Sequence, residues 1–383
     1  MNYILFDNES WQNFLPLTFT RPISDIRLGI LKISEKWNKY LNQEVSYMTQ
    51  DYLSKKYSMN VASENTLINA CVLPNKALVE AIGSLSVGQI LVQDGILIAA
   101  VVSEDKLGSF DASLPDYSEK IVFDGDLLRI EKSYDIFQLN DKALRDDFEL
   151  LTAGRKSQPL SKTVNALGAE NIFLEEGAKV EFATLNANEG PIYIGKDAEI
   201  MEGSLVRGPL AMCEHSALKM GAKVYGATTL GPYCKSGGEL SNVVFLGYAN
   251  KAHDGFLGNA VIGEWCNIGA DTNNSNLKNN YSEVKLWNYK SNRFDKTGLQ
   301  FCGTIMGDHS KCGINTMLNT GTVIGVGANV YGAGFPRNFI PSFSMGGKDG
   351  FQEYRLKAAH EVAQLVMQRR GIEFDEVEQG IMD

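Results

Sequence analysis

An aliphatic side chain returns at every sixth position from Ile194 onward, as Ile194, Ile200, Val206, Met212, Leu218, Val224 and Leu230. The period resumes as Ile262 and Ile268, and again as Met306, Cys312, Leu318, Ile324 and Val330, with Gly following Ile194, Leu230, Ile262, Ile268 and Ile324. A six-residue period belongs to a parallel β-helix, in which each side of a triangular coil holds a short strand and a turn and points one side chain inward. Those inward side chains stack coil upon coil into an apolar column, while small residues and Gly fill corners that need positive φ or close backbone approach. Three such hexads make a coil of about 18 residues, so the stretch from Asn171 to Gly334, less its break, predicts about seven or eight coils.

The rest of the chain bounds what this prism is attached to. A length of 383 residues predicts two or three domains. A net charge of -10 argues against nucleic-acid or anionic-membrane partners, while leaving room for local basic pockets. No apolar run reaches the length of a membrane span, and Met1 to Trp11 carries Asp7 and Glu9 with no basic lead-in, so a cytoplasmic protein without a secretion signal is expected. Cys71, Cys213, Cys234, Cys266, Cys302 and Cys312 form no CxxC pair, which predicts reduced thiols, Cys312 and Cys234 lying within the repeat.

Residues 1–160 read as an α/β domain. Tyr3 to Phe6 predicts a first strand and Leu28 to Leu41 a helix, and Gly88 to Val102 predicts a hairpin turning at Asp94-Gly95. Residues 133–152 predict a helix, followed by a polar linker from Ala153 to Thr163. The β-helix occupies 164–347 and loses its period over 271–303, a polar, Asn-rich insertion of the kind that is more often functional than idle. Residues 348–383 predict a C-terminal helix and tail, with the amphipathic stretch running from Asp349 to Arg370.

The segment Asn250-Lys251-Ala252-His253-Asp254-Gly255-Phe256-Leu257-Gly258-Asn259, followed by Val261-Ile262-Gly263-Glu264-Trp265-Cys266-Asn267-Ile268-Gly269-Ala270, resembles the acetyltransferase site of the GlmU family. Over nearly the whole chain the layout resembles a divergent branch of that family with a shortened N-terminal domain. The resemblance implies an α/β nucleotidyltransferase-like domain followed by a left-handed parallel β-helix of hexapeptide repeats and a C-terminal helix. It implies homo-trimers with ligand sites between prisms. It also implies acetyl transfer from acetyl-CoA to glucosamine 1-phosphate, and nucleotidyl transfer from UTP with Mg²⁺ to give UDP-N-acetylglucosamine. Acetyl transfer to an amine needs a base, and His253 matches the family's catalytic histidine in its spacing to the following Leu-Gly. Asn267 and Asn276 fall where the family places asparagines near sugar and acetyl group, and Lys285 stands for its phosphate-contacting lysine. Phe256 replaces a tyrosine that touches the substrate phosphate, and Ser241-Asn242 replaces a lysine; Lys251, with Lys223, Lys235 and Lys278, is positioned to compensate. For acetyl-CoA the resemblance points to Gly313-Ile314-Asn315 and Gly332-Ala333-Gly334, where Gly lets a ligand approach the backbone. His309, in Gly307-Asp308-His309-Ser310-Lys311, has no assigned role.

In the first domain, Leu15-Pro16-Leu17-Thr18 and Arg21-Pro22 match the family's phosphate-binding region, although its glycines are missing, Asn13 replaces an Arg and Ile23 a Lys. Arg21 and Arg27 are the candidate replacements for cations that hold nucleotide phosphates during in-line attack. Asp7 is a candidate for Mg²⁺, and Asn69 stands near the usual position of a metal-binding Asp. Three readings stay open: a bifunctional acetyltransferase and nucleotidyltransferase, a sugar-1-phosphate nucleotidyltransferase whose β-helix serves assembly or regulation, and a non-catalytic trimeric scaffold.

Overall fold

The computed structural model describes residues 1–112 and 119–383. The N-terminal domain is built on a six-stranded sheet: β1 (Asn2–Phe6), β2 (Ser46–Met48), β3 (Glu64–Asn69), β4 (Gln89–Gln93), β5 (Ile96–Ser103) and β6 (Glu119–Val122), in the order β2-β1-β3-β5-β4-β6. β5 alone runs against its neighbours. Asp94 at φ 49° and Gly95 at φ 78° form the β4–β5 turn, the two left-handed residues that match a tight hairpin to strand twist. The helix predicted from Leu28 starts later, as α1 (Ile33–Leu41), because Gly29 sits at φ 80° and the backbone N–H groups of Ile30 and Leu31 donate to Asp147 instead of entering a helix.

Residues 165–347 form a parallel β-helix with three faces. Face one runs from Asn165–Leu167 to Met317–Leu318, face two from Ile172–Leu174 to Phe339–Ile340, and face three from Lys179–Val180 to Ser344–Gly347. Face three is a 10-stranded sheet of which the last strand, Gly350–Glu353, is antiparallel; the parallel strands thus make nine coils rather than seven or eight. The repeat runs past both ends of the Asn171–Gly334 stretch, from Asn165 to Gly347, and through the start of its break. Asn274 occupies an inward position there, its amide paired with both the N–H and C=O of Gly258 at 2.8 and 2.9 Å. The repeat therefore continues through Asn273–Asn274, which pairs with Met317–Leu318, and the excursion leaves the coil after it. That excursion is structured, as an antiparallel hairpin of Lys285–Asn288 with Arg293–Lys296. At the other end, the helix expected from Asp349 begins at Leu356, since Gly350–Glu353 first closes the prism as a strand.

Face two is apolar on both sides. Its inward Ile192, Ile194, Leu210 and Met212 fill the lumen, while Tyr193, Ala211, Val244, Val261, Ile305 and Val323 pack outward against the N-terminal domain. Leu5, Phe14, Leu17, Ile26 and Trp37 join Val244, Val261, Ile305 and Val323 in one core, while Tyr193 and Ala211 pack with Ile30 and Leu144 in a second cluster. Both domains thereby remove apolar surface from water in a shared interface, the largest favourable term available to them.

Candidate functional sites on the prism and in the N-terminal crevice

His253 lies at the corner between faces three and one. It follows the strand Asn250–Lys251, is exposed, and its imidazole takes no hydrogen bond from any described residue. Its turn is fixed by Gly255 at φ 119°, where an added Cβ would come 2.2 Å from the Thr272 carbonyl oxygen. The same corner recurs two residues after each inward side chain: Lys251 gives His253, Ile268 gives Ala270, Cys312 gives Ile314 and Val330 gives Gly332, by strand register. At about 4.8 Å per rung, Ile314 stands roughly 10 Å and Gly332 roughly 14 Å along this edge from His253. Ile314 is 71% exposed, and Gly332 and Ala333 are exposed too. The structure therefore brings His253, Gly313, Ile314, Gly332 and Ala333 to one edge of the prism.

The residues expected around the acceptor sugar are dispersed. Lys251 points inward, in the column of Leu218, Ser236 and Ile268, and is 1% exposed. Its ammonium donates to the His253 carbonyl oxygen at 2.7 Å and the Gly237 carbonyl oxygen at 3.3 Å; burial lowers its pKa to about 8, against the pull of Asp254 and Asp271. It cannot compensate for a missing phosphate contact, because it lies inside the wall. Asn267 is exposed on face three, in register with Asn250 and Lys311, three positions before the corner. Asn276 donates to the Asn259 side chain at 2.8 Å in an asparagine ladder at the corner between faces one and two. Lys285 belongs to the insertion hairpin at that second corner, its carbonyl oxygen 2.5 Å from where a Cβ on Gly321 would stand. Within one chain, neither Asn276 nor Lys285 shares the corner of His253.

The N-terminal crevice lies at the carboxyl ends of β1, β2 and β3, where open α/β sheets bind ligands. Asp7 follows β1 and accepts from Thr49 Oγ1 at 2.6 Å and the Ile23 N–H at 3.0 Å; burial pushes its carboxyl up to about 6, against those two hydrogen bonds. Asn69 ends β3 and is 3% exposed, its amide donating to the Leu97 carbonyl oxygen and accepting from the Cys71 N–H. Asp7 and Asn69 thus come together, but the expected cations do not join them. Arg21, 2% exposed, pairs with Asp308 and Glu264 of the β-helix, and Arg27, 4% exposed, donates to the carbonyl oxygens of Leu246 and Ile30. Both are interface residues, out of a nucleotide's reach. Sequence reasoning missed this because their β-helix partners Asp308, Glu264 and Leu246 lie more than 200 positions away. The same contact accounts for Asp308-His309: Asp308 also accepts from the Thr20 hydroxyl at 2.8 Å, and His309 is buried beside it.

The crevice does not fit a protein-held Mg²⁺. Among the described residues both Asp7 oxygens already accept hydrogen bonds, and no cluster of three or more His, Cys, Asp and Glu gathers. No helix among them is long and apolar enough to cross a membrane.

A bifunctional sugar-1-phosphate nucleotidylyltransferase/acetyltransferase from Sulfurisphaera tokodaii is 29% identical over 145 residues, which is 37% of this chain and 36% of the relative's length. Among solved structures, the polySia specific acetyltransferase NeuO overlaps with TM-score 0.27 at 10% identity, covering 50% of this chain and 85% of that one. AntD, an N-acyltransferase from Bacillus cereus, overlaps with TM-score 0.24 at 12% identity over 54% and 90%. Residues 3–156, the crevice included, match the sugar nucleotidyl transferase family.

Proposed function

We propose that this chain is a sugar-phosphate transferase whose β-helix acetylates the amine of an amino-sugar 1-phosphate, glucosamine 1-phosphate, using acetyl-CoA. The observation that carries the reading is the shared edge: an exposed imidazole without a hydrogen-bond partner among the described residues stands in line with the exposed Ile314, Gly332 and Ala333 and the half-buried Gly313. A thioester ligand laid along that edge meets backbone at the glycines and reaches His253 with its acetyl end. The amine nitrogen attacks the thioester carbonyl, forming the C–N bond. His253 takes the proton from nitrogen, the C–S bond breaks, and that proton passes to the departing sulfur, so that CoA leaves as the thiol. Of the expected polar groups, Asn267 is the exposed one on the strand next to Asn250–Lys251, three positions before that corner.

Side-by-side association into a homo-trimer belongs to this reading. It is supported by apolar side chains exposed at and beside the same edge: Phe182 at 65%, Met220 at 71%, Leu205 at 54% and Tyr225 at 41%. Such a run is more than scattered surface hydrophobics account for. A neighbouring prism would then supply the phosphate-binding groups that one chain lacks at this corner. The six free, buried cysteines support a reducing, cytoplasmic setting.

Nucleotidyl transfer from UTP to the acetylated sugar phosphate, giving UDP-N-acetylglucosamine, is the second half of the proposal. The family match over 3–156 and the printed activity of the Sulfurisphaera relative support it. The loss of Arg21 and Arg27 to the interface weighs against it. Pyrophosphate release from UTP with N-acetylglucosamine 1-phosphate and added Mg²⁺ tests this half. No turnover with any nucleoside triphosphate would leave the first domain as a packing partner of the prism.

A further inference from the structure

The insertion hairpin leans over the C-terminal end of the prism and leaves a groove of 1070 Å³ at the corner between faces one and two. Its wall is aromatic: Trp287 stacks on Phe339 with ring centroids 4.3 Å apart and planes 13° from parallel, and Phe294 meets Trp287 edge-on at 5.3 Å. Phe351, from the strand that closes the prism, faces it. Three cations, Lys278, Lys285 and Arg337, line the same groove, and none of its lining residues is acidic. Lys278 donates to the Glu283 carbonyl oxygen, whereas Lys285 and Arg337 are exposed and have no hydrogen bond or ion pair with a described residue. The nearby Glu283 carboxylate is already held by Lys296 and the Gly298 N–H. The indole N–H of Trp287 is buried without an acceptor.

Cations that line one groove with aromatic rings, two of them unpaired among the described residues, on a chain of net charge -10, select for a ligand that is anionic at one end and planar and apolar at the other. Surface cations with a purely solvated role have no need of an aromatic wall, and a purely structural aromatic cluster has no need of three cations. We propose that this groove binds a nucleotide, its base against the Trp287–Phe339–Phe294 wall and its phosphates on Lys285, Arg337 and Lys278. The inference is independent of the role of His253, which stands at another corner. Two sources share this chemistry: a nucleoside di- or triphosphate, and the adenosine 3′,5′-bisphosphate head of CoA.

Calorimetry on the full chain with UDP, UTP, adenosine 3′,5′-bisphosphate and pyrophosphate, alongside tryptophan fluorescence, tests it. The expected result is that at least one nucleotide binds and changes tryptophan emission, and that K285A/R337A weakens that binding by about tenfold or more with an unchanged melting temperature. Both replaced side chains are exposed, so loss of the fold does not confound the comparison. Tighter binding of UDP or UTP identifies the first source, and tighter binding of adenosine 3′,5′-bisphosphate the second. Equal affinity of the double variant and the wild type for every nucleotide, or binding of pyrophosphate as tight as that of the nucleotides, would overturn the proposal.

Discussion

Lys251 shows how far one residue can mislead when only the sequence is in view. It stands two positions from His253, in a segment rich in polar residues, and a solvated or phosphate-binding role follows from that setting. The strand register turns it into the lumen, where it ties the carbonyl groups of His253 and Gly237 to the wall. Its folded-state pKa of about 8 lies below the unfolded value of 10.5, so the unfolded chain binds the proton more tightly between those values. The wild type is therefore expected to gain stability relative to K251M as pH rises from 8 to 10.5, in paired thermal melts. A difference in melting temperature that stays constant over that window would show that the ammonium is not held as described. His253 could be singled out because its identity and spacing are local, whereas the surroundings of Arg21, Arg27, Asn276 and Lys285 are set by coils and domains distant in sequence.

At the scale of elements, the corners decide what the repeat can carry. His215, Tyr233, Tyr248, Trp265 and His309 all take positive φ at the corner between faces two and three, and their rings stack at 4.7, 5.3, 4.2 and 6.3 Å. The C-terminal helix Leu356–Gln368 covers the ladder with Ala359, Ala363 and Met367. The repeat was legible wherever inward residues were aliphatic, and hidden at Ser236, Lys251 and Asn274, where the lumen holds polar groups. Burial, with help from the Lys311 cation, lowers the His309 pKa to about 3, below its unfolded 6.5, and its Nδ1 has no partner. The folded state thus resists a proton that the unfolded chain accepts, so stability is lost as pH falls from 6.5 toward 3. H309F is expected to lose less stability than the wild type over that range in urea titrations; parallel losses would assign the acid sensitivity elsewhere. G255A is expected to cost roughly 1–3 kcal/mol from backbone strain alone. Its clash with the Thr272 carbonyl oxygen adds to that, and chemical denaturation reads the sum.

The whole molecule behaves as one body because its two domains share a core and a buried charge network. Arg21 meets Asp308 and Glu264, Asp25 meets Lys32 at 2.9 Å, and Tyr57 donates to Asp25 at 3.1 Å. Burial would push the Glu264 carboxyl up, but the Arg21 and Lys32 cations outweigh it and hold its pKa below the usual carboxylate range. R21M removes the cation that the buried Asp308 and Glu264 share and is expected to cost about 3–5 kcal/mol. It should also split a single unfolding transition into two in calorimetry; a single, unshifted transition would mean that the network does not couple the domains. The division into an α/β part and a prism could be read from the change of period alone. That face two would be covered by the first domain could not, because outward Tyr193, Val244 and Val261 look like ordinary repeat residues until their partners are known. The central claim concerns the corner between faces three and one, where His253 stands in line with Ile314 and Gly332. Its most direct test is release of free CoA thiol from acetyl-CoA and glucosamine 1-phosphate by the wild type and by H253A, with circular dichroism confirming that both are folded. Turnover by the wild type and a fall in kcat of about 10²- to 10⁴-fold in H253A are expected. An inactive wild type, or equal rates from the two proteins, would contradict it.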